Sequence, residues 1–340
     1  MDEINSWLVA GGLAVGAVFA FLVQRYRFCL VAGTSNLLLI KDYRQVMAFT
    51  AAWLVGIIGT QLLEMTGVVA IADSAYRNAT LDWFGAGLGG FIFGIGATLA
   101  GGCAARTVVK TMEGSVHSLI ALVAFMIVAA ITQFGFLEPV RIKLTQATAI
   151  ELTTDAGLTS ILSLPPWLVL AVVVAALLVF IYQGWRRSPD KTMLIVGAVI
   201  GGLVLVGWYV TGVLAQDEFM PLKPSSITVS GPLARFGYVI LSGRLPEISF
   251  AISFVIGTAA ASFLLALVTR QFKITAPGKG MAKNALIGGT LMGFGAILSY
   301  GCNIGQGLTG ITTLSLESLI AVATMVLGIA AATKWMEKYA

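Results

Sequence analysis

Long apolar blocks, each bounded by short polar stretches, run the length of the chain. A helix needs about 20 predominantly apolar residues to cross a bilayer. Nine blocks meet that length or come close to it: residues 7–24, 46–66, 85–103, 118–137, 166–182, 192–214, 249–268, 285–302 and 318–333. Four shorter apolar pieces, 28–40, 104–113, 235–243 and 303–315, lie between them. They are too short to span. Because backbone polar groups in lipid must be satisfied internally, they predict short or re-entrant helices packed inside the protein. The pattern predicts an all-α integral membrane protein, one transmembrane domain over 1–340 with about nine spanning helices and four short ones.

Composition agrees. The 340 residues are 58% hydrophobic and 11% charged, with mean hydropathy +0.92, whereas soluble domains carry about a quarter charged residues. The 39 glycines suit close helix approach in lipid. No small-residue cleavage site follows the first apolar block, so no cleavable signal peptide is expected. The net charge of +5 lies in loops flanking the blocks, which points to membrane topology and away from nucleic acid. With the N-terminus outside, fifteen Lys and Arg fall on the cytoplasmic side, among them Arg25, Arg27, Arg106, Lys110 and Lys279. Six, Arg244 among them, fall outside. That bias predicts an N-out, C-in chain.

The chain also repeats itself. "GGFIFGIGATLAGGC" (89–103) matches "GGTLMGFGAILSYGC" (288–302) 199 positions later, with Cys103 opposite Cys302. "HSLIALV" (117–123) then matches "ESLIAVA" (317–323), which pairs His117 with Glu317. "VGAV" recurs at 15–18 and 196–199, and "RFCLVAG" (27–33) has a faint echo in "RFGYVILSG" (235–243), where Gly237 stands for Cys29. Two halves are expected, 7–137 and 192–333, joined by 138–191, which carries one spanning helix. Five crossings separate the matching segments, so the halves are inverted. Inverted repeats with broken helices mark transporters whose site lies where the halves meet.

Candidate chemistry sits at the breaks. A short helix is expected just after Cys29, Cys103 and Cys302, and each helix N-terminus offers free N–H groups and partial positive charge to an anion. Gly102 and Gly301 allow close backbone approach beside the thiols. A neutral thiol is a weak donor and a soft contact, which suits an anion with an exposed sulfur better than sulfate or phosphate. A buried free cysteine also serves as a small hydrophobe, and that reading stands beside the functional one. Arg106, one turn beyond Cys103, is either an anion attractor or a topology anchor. Asn303 and Gln306 offer amide donors beside Cys302, with helix capping the plainer role for Asn303. His117 is expected at a helix start, and Glu64 is expected to snorkel outward from its helix end. No P-loop, no acid pair within a span, no copper-like Met or His cluster and no zinc-like cysteine spacing is visible, so no cofactor or metal is expected.

"GGCAARTVVKTMEGS" and "GCNIGQGLTGITTLSLESLIA" resemble the YeeE/YedE family of bacterial membrane proteins, a sulfur-transport family that includes thiosulfate transporters. The resemblance covers nearly the whole chain. It implies thiosulfate uptake across the bacterial inner membrane through an hourglass-shaped bundle of nine spanning and four short helices, with no enzymatic step. The family's three functional cysteines map onto Cys29, Cys103 and Cys302, and a TusA-like sulfur carrier is the implied cytoplasmic partner. Other sulfur or selenium anions, a cysteine persulfide formed by membrane sulfurtransfer, and soft-metal transport are the competing readings.

Overall fold

The structure, a computed structural model, describes residues 2–152, 155–216, 222–243, 248–278 and 280–339. Arg244 and Lys279, both used above to orient the chain, lie outside the described residues. Among the described residues, fourteen α-helices carry the fold. The first six are α1 (Asp2–Tyr26), α2 (Leu30–Ile40), α3 (Arg44–Met65), α4 (Trp83–Leu99), α5 (Ala104–Met112) and α6 (Val116–Phe134). After them come α7 (Glu138–Thr148), α8 (Leu158–Leu162), α9 (Pro166–Arg187) and α10 (Lys191–Tyr209). The last four are α11 (Ser230–Ser242), α12 (Phe250–Val268), α13 (Met281–Leu298) and α14 (Leu316–Tyr339). Two wide π-helical turns, Val210–Leu214 and Gly305–Gly310, and one short 3-10 turn, Ile71–Asp73, join them. Among the described residues, nine helical segments are long and apolar enough to cross a membrane. The expected short pieces appear as α2, α5, α11 and the second π-helical turn.

Helix starts follow local chemistry. Asp82, Ser115, Asp190 and Ser249 each accept a backbone N–H of the first turn and so satisfy a donor that the helix itself leaves free. Pro166 opens α9, where its missing N–H costs nothing. α9 stands apart: only Val169 and Gly184 on it are buried.

Lipid offers no hydrophobic drive for helix pairing, so the spans pack through small residues that bring backbones together. A Cβ on Gly89 would stand 2.8 Å from the Gly295 carbonyl oxygen, and one on Gly295 would stand 2.6 Å from that of Gly89. Gly96 and Gly288 are related in the same way, at 2.7 Å each. Position 89 therefore meets 295 and position 96 meets 288, so α4 and α13 cross antiparallel along a glycine seam. On their other flanks α4 lies parallel to α14, with Gly94 against Met325 and Ile329, and α13 lies parallel to α6, with Gly293 against Phe125 and Ala129. α1 pairs with α12 through Gly12 and Gly16, and α3 with α10 through Gly197 and Gly201. The connection 138–191 holds α7, α8 and α9, and a two-residue antiparallel pairing ties it back, Thr80 to Glu151 and Leu81 to Ile150.

Candidate functional site

Two broken turns hold the chemistry. In the first, α4 stops at Leu99 and the chain reverses through Gly101 in the left-handed region, φ +72°. The N–H of Gly102 closes the turn on the Ala97 carbonyl at 2.9 Å. Cys103 then caps α5 in extended conformation, and its carbonyl accepts from Thr107 N at 2.8 Å. Cys29 caps α2 in the same way after a left-handed Arg27. The Cys29 and Cys103 side chains face each other, and Cys302 lies within electrostatic range of Cys103. All three thiols are free and buried.

A cavity of 630 Å³ opens onto this turn and is lined by Arg27, Cys29, Ser35, Gly102, Arg106 and Lys110 among others. Arg106 is 8% exposed and donates to the Val23 carbonyl at 2.8 Å. It has no carboxylate partner among the described residues. Lys110, treated above only as a topology marker, donates from Nζ to the Gly101 carbonyl at 2.6 Å. Its spacing of four from Arg106 places both cations on one helix face, a signal that was available in the sequence. His117 donates from Nε2 to the Ala100 carbonyl at 3.1 Å, so it braces the same turn.

In the second turn α13 ends at Leu298 and Tyr300 takes the left-handed position, φ +53°. Cys302 follows, and its carbonyl accepts from Gln306 N at 2.8 Å and from Gly307 N at 3.4 Å, the mixed pattern of a widening helix. Gln306 clamps the turn: its Nε2 donates to the Ser299 carbonyl at 2.9 Å and its Oε1 accepts from Ser318 Oγ at 2.5 Å. A Cβ on Gly301 would meet Gln306 Cγ at 2.8 Å. Trp53 Nε1 donates to the Gly307 carbonyl at 2.6 Å, and Trp208 Nε1 to Thr312 Oγ1 at 3.4 Å. Asn303 departs from the capping role expected of it. It is 1% exposed, and neither amide atom has a hydrogen-bond partner among the described residues. Tyr76 and Thr228 border Gly305. Burial and the neighbouring Cys302 raise the Tyr76 phenol well above its ordinary range, so it stays a donor.

The structure thus groups Cys29, Gly102 and Arg106 on one cavity. Cys103 is buried beside Cys29, and Gly301, Cys302, Asn303 and Gln306 form a separate turn that does not line this cavity. A second cavity, 710 Å³, lies across the protein beside Ser74, Arg77 and Lys223. The 22 residues of α3 separate the two mouths by about 33 Å. Near the second mouth Arg77, buried, ion-pairs with Glu64 and Asp155 at 2.5 Å each. Glu64 therefore turns to Arg77 instead of reaching outward alone. A further acid encounter was invisible in the sequence: Asp82 and Glu317, 3% and 7% exposed, are electrostatic neighbours. Among the described residues, no group of three or more His, Cys, Asp and Glu gathers as a metal site.

Comparison with known proteins follows the same outline. The model of a family described as "Sulphur transport" matches residues 25–331. The thiosulfate transporter TsuA of Escherichia coli (strain K12) is 26% identical over 95% of the chain and 93% of that relative. The thiosulfate transporter TsuA of Spirochaeta thermophila is 28% identical over 93% of the chain and 96% of that relative.

Proposed function

We propose, from the premise that this chain belongs to the sulphur-transport family, that it is a thiosulfate importer of the bacterial inner membrane. What carries the reading is the group of three free, buried thiols, two at helix N-caps and one in the turn before Gly305–Gly310, between two opposite cavities, in a chain similar over nearly its whole length to two thiosulfate transporters. Thiosulfate enters past Tyr76 and Thr228, contacts Cys302, then Cys103 and Cys29, and leaves through the Arg106 cavity. Its soft terminal sulfur meets S–H groups, while backbone N–H groups at the caps and the unpartnered Asn303 amide meet its oxygens. Several weak contacts in series let the ion leave as readily as it enters. No lasting covalent bond forms. Arg106, without a carboxylate to neutralise it, draws the dianion toward the exit.

The Lys and Arg bias supports a cytoplasmic Arg106 cavity and an N-terminus outside. A TusA-like carrier on that side receives the product. The halves 7–137 and 192–333 are inverted copies, a reading supported by the packing of α4 on α14 and α13 on α6 at equivalent positions. Import is electrically uphill: moving a dianion inward against a potential of about 100 mV costs about 4.6 kcal/mol.

Radiolabelled thiosulfate uptake into proteoliposomes tests the reading. The wild-type protein takes up label that unlabelled thiosulfate competes away and sulfate does not. Cys103→Ala and Cys302→Ala lose about tenfold or more of the initial rate, and the intact mass of each purified protein is unchanged by thiosulfate. Normal uptake by all the cysteine variants sinks the thiol path, and a stoichiometric sulfur adduct replaces it with persulfide chemistry.

A further inference from the structure

An importer of a dianion needs a compensating cation, and this inference rests on the import reading above. We propose that Glu317, buried against the capping carboxylate Asp82, is a proton-loading site that couples thiosulfate import to proton entry. Asp82 caps α4, where Oδ1 accepts from Gly85 N at 2.8 Å, while its buried Oδ2 has no partner. Glu317 lies in the first turn of α14 and has no ion pair among the described residues. The parallel packing of α4 and α14 brings the two residues together at the N-terminal ends of both helices, the end of α4 away from the Cys103 turn, and Thr324 Oγ1 reaches the Ala86 carbonyl at 3.4 Å along the same seam.

A buried Glu317 carboxylate set against a second carboxylate, with no ion pair of its own among the described residues, is unfavourable, and a proton bound at Glu317 removes the conflict. A metal ion needs more oxygen ligands than this pair supplies. The other titratable or charged groups facing the pair are Tyr300, from the turn before Cys302, and Arg141 of α7. Arg141 donates to the Thr132 carbonyl at 3.3 Å and forms no ion pair with either acid.

The site is wired to the thiols. Ser318, adjacent to Glu317, donates to Gln306, Gln306 donates to Ser299, and Ser299 Oγ donates to the Gly301 carbonyl at 3.0 Å. A change of charge at Glu317 therefore acts on the backbone that carries Cys302. Loading from the outer face favours the turn that admits the dianion, and release follows its passage.

The test uses the full chain in proteoliposomes with the membrane potential clamped. Thiosulfate counterflow without gradients reports the transport path alone, and net uptake under an inward proton gradient reports coupling. In the wild type, a gradient of about one pH unit raises net uptake about threefold or more, and a trapped pH dye records acidification of the lumen with transport. Glu317→Gln and Asp82→Asn keep counterflow and lose the response to the gradient, while Glu317→Asp regains it. Wild-type counterflow with uptake indifferent to the proton gradient, or driven only by sodium, overturns the proposal and leaves the import reading standing. Absence of wild-type counterflow defeats the import reading and this inference with it. Should the substitutions prevent folding, the wild-type dye record decides.

Discussion

The Cys103 turn and the Cys302 turn share a backbone and differ in charge. Gly101 and Tyr300 occupy equivalent positions and both adopt left-handed dihedrals, as do Gly114 and Leu314 at the far ends of the segments that follow. The side chains on this common frame diverge. Around Cys103 stand Arg106, Lys110 and His117. Around Cys302 the equivalent of Arg106 is Gly305 and that of His117 is Glu317, with Asp82 nearby. The helix after Cys103 is a regular α5, and the one after Cys302 is a wide, glycine-rich turn. Matching sequence thus sets a buried thiol in each of two similar turns, while the charges around the two thiols are not shared.

The scaffold half of this comparison breaks most completely at the glycine seam. Gly96→Leu or Gly288→Leu drives a side chain into the facing backbone, where overpacking cannot relax. The expected result is no monodisperse protein in detergent, whereas Gly202→Leu, with nothing within 4 Å of its Cβ, gives wild-type elution. The two buried arginines come next. Arg77→Met strands Glu64 and Asp155 and costs about 3–5 kcal/mol, read as a fall in melting temperature. Arg106→Met strands no acid and costs about 1 kcal/mol for one lost hydrogen bond, yet it slows uptake. If Arg106→Met proves the more destabilising of the two, the contrast between a structural and a functional arginine is wrong.

Smaller effects sharpen the backbone equivalence. Gly101→Ala introduces a Cβ at positive φ and costs about 1–2 kcal/mol, while Tyr300→Gly relieves the same strain. Opposite shifts in thermal stability are expected from the two changes, measured at a pH where Tyr300, whose phenol burial holds above its ordinary value, is neutral in both states. The smallest effect belongs to Asp42, at the exposed end of α3. The Arg44 guanidinium, which it meets at 2.8 Å, holds its carboxyl below the usual carboxylate range. That contribution is present above the ordinary carboxylate pKa of about 3.9 and fades as pH falls through the lower folded value. Asp42→Asn therefore costs under about 1 kcal/mol at neutral pH and nothing in strong acid, a difference checked by thermal melts at both pH values.

Spans were legible in the sequence because apolar length alone decides them, and their observed ends move by only a few residues. The matching cysteine segments were legible because glycines recur where backbones touch. Other features depend on distant contacts that no local pattern encodes. Asp82 and Glu317 lie 235 positions apart in the sequence, and Asp82 reads locally as a helix cap, which it also is. Asn303 has the residue type of a cap, yet the turn widens after it and leaves its amide unpaired. Glu64 looked like a lone acid at a helix end because Arg77 reaches it from the following loop. Tyr300 gave no sign of its left-handed backbone, since glycine marks that geometry at 101 but not at 300. The helices α7 and α8 and the Thr80–Glu151 pairing were missed because their segments are short and half-polar.

Trp53 and Trp208, on the paired helices α3 and α10, hold the wide turn after Cys302 and the residues just past it through their indole N–H groups, at the Gly307 carbonyl and Thr312 Oγ1. Indole emission shifts when such a bond lengthens or water enters. The molecule therefore carries a native optical gauge at the very segment a passing ion would disturb, readable in unlabelled protein without any engineered dye.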